Sequence, residues 1–124
     1  MHELSIALSI IDIAGEELAR QRNGCVDAIH LKLGPLSGVV KEALLSAWDL
    51  AREQSPPLAS SRLVIEDVPV AVLCPQCNAE RPVVSIQEMR CRECGTLCPR
   101  VVRGREMEVI AMEIIDEYED AEVG

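Results

Sequence analysis

Two pairs of cysteines constrain this chain more tightly than any other feature in it. Cys74-Pro75-Gln76-Cys77 and Cys91-Arg92-Glu93-Cys94 are C-x-x-C pairs separated by thirteen residues, close to the spacing of treble-clef and ribbon-type zinc sites. Each pair reads as a tight turn that points two thiolates inward. A hairpin across the intervening residues then brings the turns together, so that four sulfurs surround one Zn(II) tetrahedrally. A single C-x-x-C is compatible with a redox motif, whereas two, the second followed at once by Gly95, favour a metal. A segment of roughly 35 residues cannot bury enough core to fold unaided, so metal binding has to supply its folding energy. Four thiolates also leave no open coordination position, which makes the expected zinc structural rather than catalytic.

Two further cysteines stand outside this set. Cys98, in Thr96-Leu97-Cys98-Pro99, has two readings: a bystander, or a thiol that shares the site or reacts under oxidation. Cys25 reads as a small buried hydrophobe at the start of a strand.

Metal is the expected use of paired cysteines in a reducing compartment, and the remaining features point to one. MHELSIALSI has no basic region ahead of its apolar stretch and no small-residue cleavage site, so it does not read as a signal peptide. No run approaches the roughly 20 apolar residues of a membrane span. The expectation is a cytoplasmic protein with no membrane partner. A net charge of −9 argues against nucleic acid, whose binders displace phosphate counterions with clustered Lys and Arg. Arg90, Arg92, Arg100, Arg103 and Arg105 are a local exception, read as a solvated basic face or as a docking patch for an acidic partner. With 124 residues, no Phe, one Trp and one Tyr, the core has to be aliphatic, which suits a small α/β domain.

From Leu4 to Arg20, Leu4, Leu8, Ile11 and Leu18 recur at helical spacing, and Asn23-Gly24 offers a left-handed end. Ile29-His30-Leu31-Lys32-Leu33 alternates at period two, a strand stopped by Gly34-Pro35, with His30 on the surface or facing a partner. Val40, Ala43, Leu44, Ala47, Trp48 and Ala51 make a second helical stripe, with Ser37 as its expected cap and Ser55-Pro56-Pro57 as its end. Leu63 to Val68 and Met107 to Ile115 read as two more strands. The expected fold is therefore α+β: two helices packed on a three-stranded sheet, with an inserted four-cysteine module. Residues 1–69 plus 105–124 form the main domain and 70–104 the zinc-binding domain. Asp116, Glu117, Glu119, Asp120 and Glu122 read as a solvated acidic tail.

His2 directly follows the first residue, and that position has its own chemistry. The Met1 amine, the deprotonated peptide nitrogen of His2 and the His2 imidazole can close adjoining chelate rings on one cation. Planar nitrogen donors of this kind favour Ni(II) or Cu(II). The fourth donor is open: the Glu3 peptide nitrogen, the Glu3 carboxylate or a ligand from elsewhere.

Taken together, four features resemble the HypA/HybF family of nickel metallochaperones over nearly the whole chain. They are the Met1-His2-Glu3-Leu4-Ser5 start, Gly34-Pro35-Leu36-Ser37-Gly38-Val39 ahead of an Ala-Leu helix, Val68-Pro69 leading into the cysteine pairs, and Gly104 before a closing Glu-rich strand. The resemblance implies a carrier that binds Ni(II) and delivers it to the large subunit of nickel–iron hydrogenase during maturation. It implies cooperation with a HypB-type GTPase and, in some organisms, a contribution to urease. It carries nickel ligation to Met1, His2 and Glu3, and zinc ligation to Cys74, Cys77, Cys91 and Cys94. Cys98 is outside the family pattern. Two rival classes remain: a zinc-ribbon adaptor in which Met-His-Glu is accidental, and an enzyme using Cys98 or a cysteine pair. No acid, base and nucleophile set supports the second, so no catalysis is expected.

Overall fold

A computed structural model of the chain describes residues 2–21 and 24–115. The expected roles of Met1, Asn23 and the acidic tail lie outside these residues. Two helices, α1 (His2–Arg20) and α2 (Lys41–Ala51), accompany seven strands: β1 (Cys25–Leu33), β2 (Arg62–Asp67), β3 (Ala71–Cys74), β4 (Ala79–Ser85), β5 (Glu88–Cys91), β6 (Val101–Arg103) and β7 (Met107–Ile115). The expected mixed fold is present, with a three-stranded sheet in the order β2-β1-β7 and a four-stranded sheet in the order β5-β4-β3-β6. The chain gathers into two compact units. The first holds the residues up to Leu31, Val40–Ile65 and those from Val109 onward, and the second holds Lys32–Val39 and Glu66–Glu108. Among the described residues no helix is long and apolar enough to cross a membrane.

In the first unit, α1 packs against α2, and its buried face holds Ile11 and Leu18 as expected but is turned away from Leu4 and Leu8. Its buried residues are Glu3, Ala7, Ile10, Ile11, Ala14 and Leu18, whereas Leu4 and Leu8 stay 39% and 41% exposed. The small side chains of Ala7 and Ala14 lie on the buried side, and one residue along a helix is about 100° of turn, so a small shift of face exchanges leucines for alanines. Trp48, Ile29, Leu31, Leu44 and Leu58 are the largest fully buried side chains. The Trp48 indole N–H still finds an acceptor, the Ser61 carbonyl at 3.4 Å, as a buried indole requires.

Strand β1 begins four residues before the alternating stretch that announced it. Its buried positions run Val26, Ala28 and then Ile29, Leu31, Leu33, so the inward face changes phase between Ala28 and Ile29. One such shift hides a strand from a period-two pattern. Helix α2 differs at its start. Ser37 closes a 3-10 turn over Pro35–Ser37, and Val40 occupies the cap position with no capping side chain of its own. The Val40 N–H instead donates 3.1 Å to the Glu3 carboxylate, thirty-seven residues away.

In the second unit, the segment from Gly34 lies against the Gly104 loop. The Leu36 N–H donates to the Gly104 carbonyl at 2.7 Å and the Gly34 N–H to the Glu106 carbonyl at 2.8 Å. A Cβ on Gly34 would stand 2.2 Å from the Gly104 oxygen, so only glycine fits this crossing. The Glu106 carboxylate accepts the Gly104 N–H at 2.7 Å, and that bond holds its pKa below the usual carboxylate range. The module's own core is small: Val70, Val72 and Val83 with Cys74, Cys91 and Cys98, flanked by Leu36 and Met89.

Candidate metal sites

The four-cysteine site is assembled from two turns of the same design. Strands β3 and β4 pair antiparallel, with Cys74 opposite Ala79, so the first C-x-x-C is the turn of a hairpin. Its end is Asn78 at φ 56, whose N–H donates to the Cys74 carbonyl at 2.8 Å. The second C-x-x-C follows β5 and ends the same way, on Gly95 at φ 78, whose N–H donates to the Cys91 carbonyl at 2.8 Å. A left-handed residue directly after each second cysteine is what folds both turns back, and Asn and Gly adopt that conformation most readily. Strand β5 pairs with β4 through Val83 opposite Cys91, and this brings the turns together.

The result is a cluster in which the sulfurs of Cys74, Cys77, Cys91 and Cys94 all lie within 4.8 Å of one another. Cys74 and Cys94 are 3.5 Å apart and Cys77 and Cys91 3.9 Å apart. Four sulfurs at 2.3 Å from a tetrahedral zinc stand about 3.8 Å from each other. The donor set therefore fits a zinc-sized, thiophilic cation. Cys74 and Cys91 are fully buried, Cys77 half-buried and Cys94 exposed.

The surroundings treat the thiols unequally. The Cys77 N–H donates to the Cys74 sulfur at 3.3 Å and lowers its pKa. The Thr96 hydroxyl, 3.1 Å from the Cys94 sulfur, is the largest influence holding that thiol down to about 6. The guanidinium of Arg81 is the strongest single influence on Cys77 and favours its thiolate. The neighbouring Cys94, burial and the sulfurs of Cys74 and Cys91 outweigh it and push the thiol up to about 11. Four thiols so close cannot all ionise without a cation between them, and a bound metal would release protons. Cys98 is fully buried beside this cluster, its sulfur 3.2 Å from the Thr96 carbonyl, and burial raises its pKa. All six cysteines are free thiols.

At the other candidate site, His2 and Glu3 open helix α1. The His2 ring is 62% exposed and its Nε2 lies 3.7 Å from a Glu3 carboxylate oxygen. Glu3 is 7% exposed, and its hydrogen bond from the Val40 N–H is the largest influence holding its pKa down to about 2. The structure thus sets the two side chains side by side and gives the Glu3 carboxylate a structural role at the start of α2. His30, the second histidine, pairs with Glu113 of β7. Among the described residues, only the four cysteines form a group of three or more metal-capable side chains.

Two residues with roles at these sites escaped the sequence. The bond from Val40 to Glu3 has no local signal, because nothing near either residue announces the other. Arg81 was absent from the five arginines marked by clustering, although its charge is the influence that favours the Cys77 thiolate. Its place on β4, four residues past Cys77, was the available clue.

A family model described as "Hydrogenase/urease nickel incorporation, metallochaperone, hypA" matches residues 1–114. The hydrogenase maturation factor HypA of Chloroflexus aurantiacus (strain ATCC 29366 / DSM 635 / J-10-fl) is 44% identical over 113 residues, covering 91% of this chain and 98% of the relative. The protein of the same name from Roseiflexus sp. (strain RS-1) is 42% identical over 121 residues, covering 98% of each chain. Among solved structures, the solution structure of the Ni metallochaperone HypA from Helicobacter pylori matches with a TM-score of 0.64 at 24% identity, covering 94% of this chain and 99% of that one. At that identity the likeness speaks for the fold.

Proposed function

The chain belongs to the HypA family of nickel-incorporation metallochaperones, and from that premise we propose that it binds Ni(II) at its first three residues and delivers it to the large subunit of nickel–iron hydrogenase. The observation that carries this reading is the convergence of His2 and Glu3 at the start of α1, with the His2 ring in solvent. Nickel is here the cargo. The Met1 amine, the His2 peptide nitrogen and the His2 imidazole form the chelate, and Glu3 adds its own peptide nitrogen. Its carboxylate already serves the Val40 N–H, which favours the peptide nitrogen as the donor. Donors in the first turn suit a helix, because the i→i−4 ladder begins only with the N–H of later residues and survives their ligation.

An exposed chelate made by consecutive residues can be dismantled one donor at a time. A partner that offers thiolates or imidazoles takes the cation as His2 lets go. A HypB-type GTPase and the hydrogenase large subunit are the proposed partners, with urease maturation as a second destination. Cys74, Cys77, Cys91 and Cys94 hold a structural Zn(II), within a zinc-binding domain assigned to residues 70–104. The main domain is residues 1–69 plus 105–124. The protein acts as a carrier rather than a catalyst, in the cytoplasm, where its thiols stay reduced.

The test compares nickel binding by the native chain with that of a chain carrying a few residues ahead of Met1, by calorimetric titration. The extension removes the free amine and leaves the fold. Nickel binding is expected to collapse, and equal binding by both chains would show the amine to be no ligand.

A further inference from the structure

We infer that the outer edge of β7 is a docking surface for a second copy of this chain, the two β7 strands pairing antiparallel about Ala111 and joining two three-stranded sheets into one. The inference is independent of both metal sites. In the order β2-β1-β7, β7 is an edge, and among the described residues it has β1 as its sole neighbour in the sheet. An edge strand offers a row of unpaired N–H and C=O groups to any other strand, and proteins blunt such edges with charged side chains, above all Lys, or with Pro. The other edge of the same sheet is blunted in this way, since β2 exposes Arg62, Glu66 and Asp67 among its six residues. β7 is built differently. It runs for nine residues, Met-Glu-Val-Ile-Ala-Met-Glu-Ile-Ile, with Glu108 and Glu113 as its only polar members. None of the nine is buried, and Met107, Ile110 and Ile115 are among the large exposed hydrophobic residues of the chain.

The order of residues along the strand suits a copy of itself. A two-fold axis through the sheet makes two β7 strands antiparallel, so that residue i meets residue j and j meets i. Centred on Ala111, the register uses all nine residues: Ala111 faces Ala111, Ile110 faces Met112, Val109 faces Glu113, Glu108 faces Ile114 and Met107 faces Ile115. Like charges directly opposite are destabilising, and here no carboxylate of the strand meets another. Glu113 is moreover paired with His30 of β1 in its own copy. The flanks match as well. Exposed Arg105 stands two residues ahead of β7, and Asp116 and Glu117 follow the strand in sequence. The same register brings Glu117 of each copy level with Arg105 of the other, at both ends of the interface. Asp116 falls level with Glu106, whose carboxylate is engaged by the Gly104 N–H of its own chain. At −9 per chain two copies repel at long range, so self-association needs local matching of this kind.

The test is sedimentation equilibrium of the full, zinc-supplied chain at neutral pH, beside A111K, A111E and an equimolar mixture of the two. The native chain is expected at twice the chain mass. Each variant sets two like charges face to face at the two-fold centre and should sediment at the single mass. In the mixture lysine faces glutamate, and the doubled mass should return. Ala111 is exposed, so both variants should keep the native circular dichroism. Outside the strand, R105E should weaken the dimer, and R105E/E117R, which exchanges the two charges, should restore it. A native chain at the single mass at every concentration overturns the inference. So does a doubled mass in A111K and A111E alone, which would place the contact elsewhere, or a mixture that stays at the single mass. Should either Ala111 variant lose the native circular dichroism, the Arg105 variants decide: recovery of the dimer in R105E/E117R supports the inference, and either no weakening in R105E or no recovery in the double variant overturns it.

Discussion

The four-cysteine site and the start of helix α1, the two places proposed to hold a metal, are built in opposite ways. At the first, donors come from two separate turns, their sulfurs converge within 4.8 Å, and two of the four are fully buried in the module's own core. At the second, the donors proposed for nickel are consecutive residues, and the His2 ring is 62% exposed. To release a metal from the first, two separate turns have to part; at the proposed second site, consecutive donors can let go one at a time, beginning with the His2 ring. Retention therefore tracks how many separate elements a site ties together and how deeply it is buried. Donor chemistry points the same way, with thiolates for a structural zinc and nitrogens for a nickel that must leave again.

The largest expected effect breaks the closed side. Cys91→Ser removes a buried sulfur of the proposed zinc site, and structural zinc contributes about 10–16 kcal/mol to folding in comparable modules. The variant should carry no zinc and should lose the dispersed amide signals of Glu66–Glu108, while α1 and α2 keep their protection from exchange. A folded, zinc-loaded Cys91→Ser would show that the site does not depend on all four sulfurs.

A smaller break strikes the same side without touching a sulfur. Gly34→Ala puts a Cβ 2.2 Å from the Gly104 carbonyl oxygen, backbone against backbone, so neither partner can give way cheaply. The expected cost is ~3 kcal/mol, read as a lower denaturant midpoint with zinc still bound. An unchanged midpoint would mean that the crossing of Gly34 and Gly104 is looser than drawn.

The four cysteines, both helices and three strands were legible in the sequence because their signals are local. C-x-x-C spacing, a 3.6-residue stripe and a period-two alternation are complete within a few turns of chain. The buried face of α1 was read in part: Ile11 and Leu18 are buried as expected, but Leu4 and Leu8 outweigh Ala7 and Ala14 in any hydrophobic pattern, and the alanines are the buried ones. The start of β1 was hidden by the phase change at Ala28. The cap of α2 could not be read at all, because Glu3 and Val40 meet only in three dimensions. The same holds for the influence of Arg81 on Cys77, which depends on which face of β4 the register selects.

The smallest effect sharpens the open side. Glu3→Gln removes the carboxylate that accepts the Val40 N–H and should lower stability modestly at neutral pH. The sign follows from the depressed pKa: Glu3 is held at about 2 in the folded chain, below its ordinary value. Its contribution is therefore full above the unfolded carboxylate pKa and is lost as pH falls from there toward about 2. The gap in urea midpoint between native and Glu3→Gln should thus be wider at about pH 6 than at about pH 3. Nickel binding should survive, because the proposed donor is the peptide nitrogen. Loss of nickel with an unchanged midpoint would identify the carboxylate as the ligand instead.

The separation of the two metals is tested most directly by native mass spectrometry of the zinc- and nickel-supplied chain beside His2→Ala. The native protein is expected to carry one zinc and one nickel, and His2→Ala one zinc and no nickel. Nickel retained by His2→Ala, or zinc lost together with nickel, would contradict the division of labour between the two sites.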